Sequence, residues 1–372
     1  MSEETSSRKL DHIKLTVERD VESRDTTLLE YARIVHNPLP EVDLEDVSLE
    51  KEFCGAKLGA PLMITGMTGG HPSTAEINRI LGEVAEALRI AVGVGSQRAG
   101  IEDPRVEYTF RVMREAAPTT FVVANLGLPQ LAKSYSLREA RKAVEMIGAD
   151  ALAIHLNVGQ ELYQAEGDRE FAALNKIIDI AESLGVPIII KETGAGLSRE
   201  AVRLLYRLGI KCFDVSGLGG TSWIKVEAAR ASSPYYRPPG ELADRWGNPT
   251  ALAIIEARDA APSSYIVGSG GIRTGLEAAK AIALGADIAG MARPVLQAVM
   301  RGGKEAALQF LNNIIYNIRT VILMTGGRKP EDLWRAPVTV WGRLRWEAEQ
   351  RGIDVDSYLL RGRLARLLGV KS

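Results

Sequence analysis

Cysteine is nearly absent: the 372 residues hold two, Cys54 and Cys212. So few exclude a disulfide framework, and Cys212, inside an apolar run, reads as a buried free thiol suited to a reducing compartment. Neither sign of charge dominates, since 46 Lys and Arg stand against 47 Asp and Glu for a formal net charge of −1. Without a global field, nucleic acid and anionic membranes are poor partners, and an anionic ligand must be held by a local cluster. Long apolar runs are missing as well. No window reaches the roughly 18 uncharged apolar residues of a membrane span, and the opening MSEETSSRKLDHIKL has no stretch of signal-peptide length. The expectation is a cytoplasmic protein that binds neither membrane nor nucleic acid. What is present is an ordinary globular composition, 46% hydrophobic and 25% charged, sufficient for a sizeable core.

A repeated half-unit organises the chain: an amphipathic segment ends in Gly and is followed by a short apolar run. Four copies stand out, at 147–157, 184–193, 208–217 and 284–293. Each Gly suits a left-handed helix C-terminus. Ser136 with Glu139, and Thr274 with Glu277, have capping-box spacing, so helices are expected to run from there to Gly148 and Gly285. Helix then strand, repeated, implies parallel pairing.

Counting apolar runs gives eight strands: Pro61–Gly66, Ile90–Gly95, Thr120–Leu126, Ala151–Asn157, Pro187–Thr193, Ile210–Gly217, Tyr265–Gly270 and Asp287–Ala292. Eight is the (β/α)₈ number, so the fold class expected is α/β, a TIM barrel; a doubly wound sheet is the alternative. One start-to-start spacing, 55 residues, stands out and contains 222–249, rich in Pro and Gly, which reads as a long inserted loop after strand six. The whole chain, 1–372, is expected to be one domain: an N-terminal extension over 1–60, the barrel over 61–325, and a C-terminal helical tail over 326–372. Arginines in that tail alternate with Glu347, Glu349, Asp354 and Asp356, which favours a solvated or subunit-packing face over nucleic acid.

In a barrel, alternate strand residues point inward, and polar ones at the C-terminal ends are functional candidates. The fourth strand places Ala151, Ala153, His155 and Asn157 on one face, with Gln160 and Glu161 directly after it. A lone histidine is often only a hydrogen-bonded core residue; four polar groups in seven positions favour a site. The same test selects Asn125, Lys191 and Ser216. Lys191 follows Pro-Ile-Ile-Ile and needs a partner there: a bound anion, a carbonyl open to Schiff-base attack, or an acid such as Glu192. Gly268-Ser269-Gly270-Gly271 before a helix, and Met291-Ala292-Arg293, occupy the usual barrel phosphate position. Gly66-Met67-Thr68 and Gly95-Ser96-Gln97-Arg98 offer further close backbone approaches, or merely tight turns. Arg8-Lys9 with His12 read by themselves as a charged chain end.

Together these residues resemble the type 2 isopentenyl-diphosphate isomerases, in their archaeal form. The motifs are Arg8-Lys9-Leu10-Asp11-His12, His36-Asn37-Pro38-Leu39-Pro40, Met67-Thr68-Gly69-Gly70, Gly95-Ser96-Gln97-Arg98, His155-Leu156-Asn157-x-x-Gln160-Glu161, Lys191-Glu192-Thr193-Gly194, Gly219-Gly220-Thr221-Ser222-Trp223, Trp246-Gly247-Asn248-Pro249-Thr250, Ser269-Gly270-Gly271-Ile272-Arg273 and Met291-Ala292-Arg293. They span nearly the whole chain. The resemblance implies conversion of isopentenyl diphosphate to dimethylallyl diphosphate in isoprenoid biosynthesis, with FMN, Mg²⁺, and NAD(P)H as flavin reductant, in a homo-oligomer, tetramer or octamer. It assigns FMN to Gly66, Met67, Thr68, Ser96, Asn125, Lys191, Ser216, Thr221, Gly270, Gly271, Arg273, Ala292 and Arg293. Substrate falls to Arg8, Lys9, His12, Ser96, Gln97, Arg98, His155, Asn157 and Gln160, and Mg²⁺ to Glu161. Gln160, His155, Asn157 and Lys191 are the expected catalytic residues. The rival within the fold is an FMN-dependent hydroxyacid oxidase or dehydrogenase; Glu161 and the Arg8-Lys9 cluster suit a metal-bound diphosphate better than a carboxylate.

Overall fold

A computed structural model describes residues 3–231 and 233–360, with side chains from Asp11 onward apart from Pro234. Eight parallel strands close a barrel: β1 (Leu62–Ile64), β2 (Ala91–Gly93), β3 (Val122–Gly127), β4 (Ala151–His155), β5 (Ile188–Lys191), β6 (Cys212–Asp214), β7 (Tyr265–Ser269) and β8 (Ile288–Met291). Each pairs with the next, and β8 returns to β1 through Ala289 opposite Leu62. All eight expected runs are barrel strands. The two capping boxes form as well: Glu139 accepts from the Ser136 N–H at 2.8 Å and Glu277 from the Thr274 N–H at 2.9 Å.

Strand alternation separates two apolar regions. Leu62, Ile64, Val92, Leu152, Ile154 and Ile190 face the surrounding helices. Met63, Ala91, Val123, Ala151, Ala153, Ile189, Cys212, Val267 and Ile288 fill the lumen. An antiparallel hairpin, Lys51–Phe53 with Ala56–Leu58, plugs the N-terminal end of the barrel with Phe53, Cys54 and Leu58. Phe53 is fully buried and meets Phe121 and Tyr265 edge to face, with ring centroids 6.0 and 5.7 Å apart.

Four features differ from the sequence reading. Cys212 is no free thiol but is bonded to Cys54, because the hairpin turn delivers Cys54 to the start of β6 from 158 residues away. The segment 222–249 is not a plain loop; it contains helix Trp223–Arg230, capped by the Ser222 hydroxyl, and helix Gly240–Arg245. The N-terminal segment forms helix α1 (Glu3–Glu18). Finally, the tail contributes a strand, Val338–Val340, which pairs antiparallel with Ala32–Ile34. Among the described residues no helix is long and apolar enough to cross a membrane.

Candidate active site

Above the apolar lumen, the next inward position on five consecutive strands is polar: Asn125, His155, Lys191, Asp214 and Ser269 follow Val123, Ala153, Ile189, Cys212 and Val267 by two residues. All five are buried. His155 Nδ1 lies 2.7 Å from Asn125 Oδ1. The Asn125 amide is oriented by its Nδ2 donating to the Val94 carbonyl at 3.0 Å, so its oxygen is the acceptor and His155 Nδ1 carries the hydrogen. Lys191 donates to the Glu192 carbonyl at 2.9 Å, whereas the Glu192 carboxylate, offered by sequence as a partner, instead accepts backbone N–H groups of residues 193–196. Lys191 stands opposite Asp214 in strand register. Burial pushes the Asp214 carboxyl up, opposed by the Lys191 charge and by the Ser269 hydroxyl, which donates to it.

Two clefts open over this polar layer and share Gly66, Met67, Lys191, Thr193 and Trp223. The first is lined by Ser216, Thr221, Gly270, Gly271, Arg273, Ala292 and Arg293. Gly270 and Gly271 have φ of 102° and 72°, and a Cβ at either would collide with the Gly217 or Gly219 carbonyl. Only glycine permits this close turn. Helix α2 (Arg293–Met324) begins at the cleft, so its amide end faces it. The Thr16 hydroxyl, buried at the rim, has no hydrogen-bond partner among the described residues. Glycine-lined backbone, two guanidiniums, a helix N-terminus and an unpartnered hydroxyl fit the phosphate end of a flavin nucleotide.

The second cleft is lined by His12, Ser96, Arg98, Asn125, His155, Asn157, Gln160 and Glu161. Glu161 is buried, taking the Asn157 amide at 3.0 Å and the Asp168 N–H at 2.8 Å. Beside it, Asn157 Oδ1 is buried with no hydrogen-bond partner among the described residues. That oxygen and the carboxylate fit Mg²⁺, which binds one or two protein oxygens and keeps waters and phosphate oxygens. Among the described residues no group of three or more His, Cys, Asp or Glu could hold a metal alone. Arg98 is braced by Asp168 at 3.0 Å and Glu102 at 2.9 Å.

Two expected contacts are not in either cleft. Gln97 is fully buried, donating Nε2 to the Ala143 carbonyl at 2.9 Å and accepting the Asn125 N–H on Oε1 at 2.8 Å, so its side chain supports β3. Thr68 likewise spends its hydroxyl on buried Asn78. Arg8 and Lys9 lie within α1, but their side chains are outside the described residues.

Sequence reasoning missed Glu227. It is buried, and binds His12 Nε2 at 2.8 Å, Gln160 Nε2 at 3.1 Å and the Arg230 guanidinium. Burial alone would raise its carboxyl, but these partners outweigh it and hold it at about 2. Glu227 thus fixes the Gln160 amide and joins α1 to the mouth. Its signal was its place one helical turn after Trp223. Asp214 was also missed, although the alternation that selected Asn125 selects it equally.

Residues 116–340 match the FMN-dependent dehydrogenase family, so fold and site together define an FMN-dependent (β/α)₈ enzyme. A mandelate oxidase carrying an FMN adduct superposes with a TM-score of 0.62 over 88% of this chain and 95% of its own, at 16% identity, a likeness of fold alone. The chain is 59% identical to the isopentenyl-diphosphate delta-isomerase of Aeropyrum pernix, covering 99% of each, and 49% identical to that of Ignicoccus hospitalis, covering 94% of this chain and 98% of the relative. The chain belongs to the isopentenyl-diphosphate delta-isomerase family, in its FMN-dependent type 2 form, and is an enzyme that moves a carbon–carbon double bond within one molecule.

Proposed function

We propose that this enzyme converts isopentenyl diphosphate to dimethylallyl diphosphate, without net redox change, using reduced FMN in the first cleft and Mg²⁺ at Glu161. The observation that carries this reading is the joined pair of clefts: a glycine-lined phosphate end opens into a polar mouth that holds a buried carboxylate beside an amide oxygen with no partner among the described residues.

The reaction adds a proton to the terminal alkene carbon and removes one from C2, through developing positive charge at the tertiary centre. When bound, reduced flavin supplies an electron-rich ring to stabilise that charge and a proton at N5, with NAD(P)H as its reductant. The chain's residues do the rest. Arg98 and His155, with His12, Arg8 and Lys9 from α1, hold diphosphate oxygens. Glu161 and Asn157 hold the metal against them. Gln160, fixed between Glu227 and Asn157, orients the isoprene end on its C2 side. Lys191 would place a cation where reduced flavin carries negative charge, and Asp214, opposite it in strand register, keeps that cation's surroundings polar. A cytoplasmic homo-oligomer, tetramer or octamer, completes the reading.

The test is an absorbance spectrum of the purified protein, then anaerobic turnover of isopentenyl diphosphate. A flavin spectrum is expected, with activity only after reduction by NAD(P)H or dithionite and only with Mg²⁺. Turnover by flavin-free protein would refute the proposal.

A further inference from the structure

Arg273 and Arg293 stand at the phosphate end of the first cleft, yet both are already engaged. Arg293 gives Nη1 to Glu22 Oε1 at 2.5 Å, Nε to the Thr16 carbonyl at 2.6 Å and Nη2 to the Arg19 carbonyl at 3.0 Å. Arg273 gives Nη2 to Glu22 Oε2 at 2.8 Å and also reaches the Gly271 and Gly219 carbonyls. One carboxylate therefore bridges both arginines. Glu22 lies four residues beyond the end of α1 and lines the cleft together with Thr16. Its backbone is pinned: it forms a bridge with Thr221, the Ser23 N–H donates to the Gly220 carbonyl at 2.8 Å, and the Ser222 N–H donates to the Val21 carbonyl at 2.8 Å.

A carboxylate on two guanidiniums makes the contacts a phosphate would make on the same pair, since both present several anionic oxygens to a fork of N–H donors. We propose that Glu22 is an internal competitor for the phosphate cradle. In flavin-free protein it latches the end of α1 to Arg273 and Arg293; a bound phosphate draws on the same donors and loosens that latch. Because α1 carries Arg8, Lys9 and His12, flavin occupancy then sets the freedom of the arm that closes over substrate. The latch rests on the flavin-phosphate reading of the first cleft. Coupling of this kind is reciprocal: if flavin loosens the arm, a loosened arm must bind flavin more tightly by the same factor.

Glu22→Gln keeps the shape and the backbone bridge and removes the charge, and a thermal melt without flavin confirms that the variant is folded. Titration with FMN, followed by flavin fluorescence, is expected to give about five- to tenfold tighter binding than wild type at low salt, a gap that closes as salt screens the pair. Trypsin reports on the arm independently, at exposed Lys14 and Arg19. FMN should speed wild-type cleavage there by a similar factor, whereas the variant should be cut fast with or without flavin. Weaker FMN binding by the variant, or wild-type cleavage indifferent to FMN, overturns the latch. Wild type that takes up no FMN at all overturns the flavin reading of the cleft first, and the latch with it.

Discussion

The lower and upper halves of the barrel lumen are built from the same strands, one inward step apart, and they do opposite things. Below, Val123, Ala153, Ile189, Cys212 and Val267 join the hairpin plug in a dry apolar cluster. Above, Asn125, His155, Lys191, Asp214 and Ser269 form a buried layer in which Asn125 pairs with His155 and Ser269 with Asp214, while Lys191 donates to the Glu192 carbonyl. A shift of two residues along a strand, about 7 Å, changes the task from cohesion to chemistry. Stability and activity should therefore separate by depth in the barrel, and three substitutions test that separation.

The largest effect is expected at the plug. Phe53→Ala empties a fully buried aromatic site and should cost about 3–5 kcal/mol of unfolding free energy, read from denaturant curves. Turnover per folded molecule should hardly change. If activity fell in proportion, the two halves would not be independent.

Glu161→Gln should do the reverse. The shape at the mouth is kept and the metal loses its charged ligand, so kcat/KM should drop about 10²- to 10³-fold, roughly 3–4 kcal/mol of transition-state stabilisation. Melting temperature and flavin content should stay at wild-type values. An unchanged magnesium dependence would remove Glu161 from the metal site.

Cys212→Ser is the smallest of the three. It opens a crosslink that closes a long loop between the hairpin and β6, and should lower stability by about 2–4 kcal/mol. Wild-type protein under reductant should melt at the variant's temperature. Activity at moderate temperature, read alongside, should be untouched, since the bond lies at the lower end.

The strands were legible because parallel barrel strands are buried on both faces and read as continuous apolar runs. His155, Asn125 and Lys191 were legible for a related reason: one polar residue at the end of such a run has few structural excuses. What the sequence hid depends on distance along the chain. Cys54 and Cys212 have no local sign of pairing. Glu22 and Glu227 look like any surface acid until the fold sets them against Arg273, Arg293 and His12. Gln97 shows the converse. Its motif suggests a ligand contact, but its amide matches the backbone of β3 and the Ala143 carbonyl so well that none remains for substrate. Helix Trp223–Arg230 was hidden by the Pro- and Gly-rich residues after it, although Ser222 caps it in plain view.

The pairing of Ala32–Ile34 with Val338–Val340 also sets an order of events during synthesis. Arg33 sits opposite Thr339, so Ala32–Ile34 has no partner until all the residues between the two strands have been made. Every barrel strand is already made by then, the last ending at Met291. The small sheet that joins the extension to the tail can thus close only around a barrel whose strands all exist already.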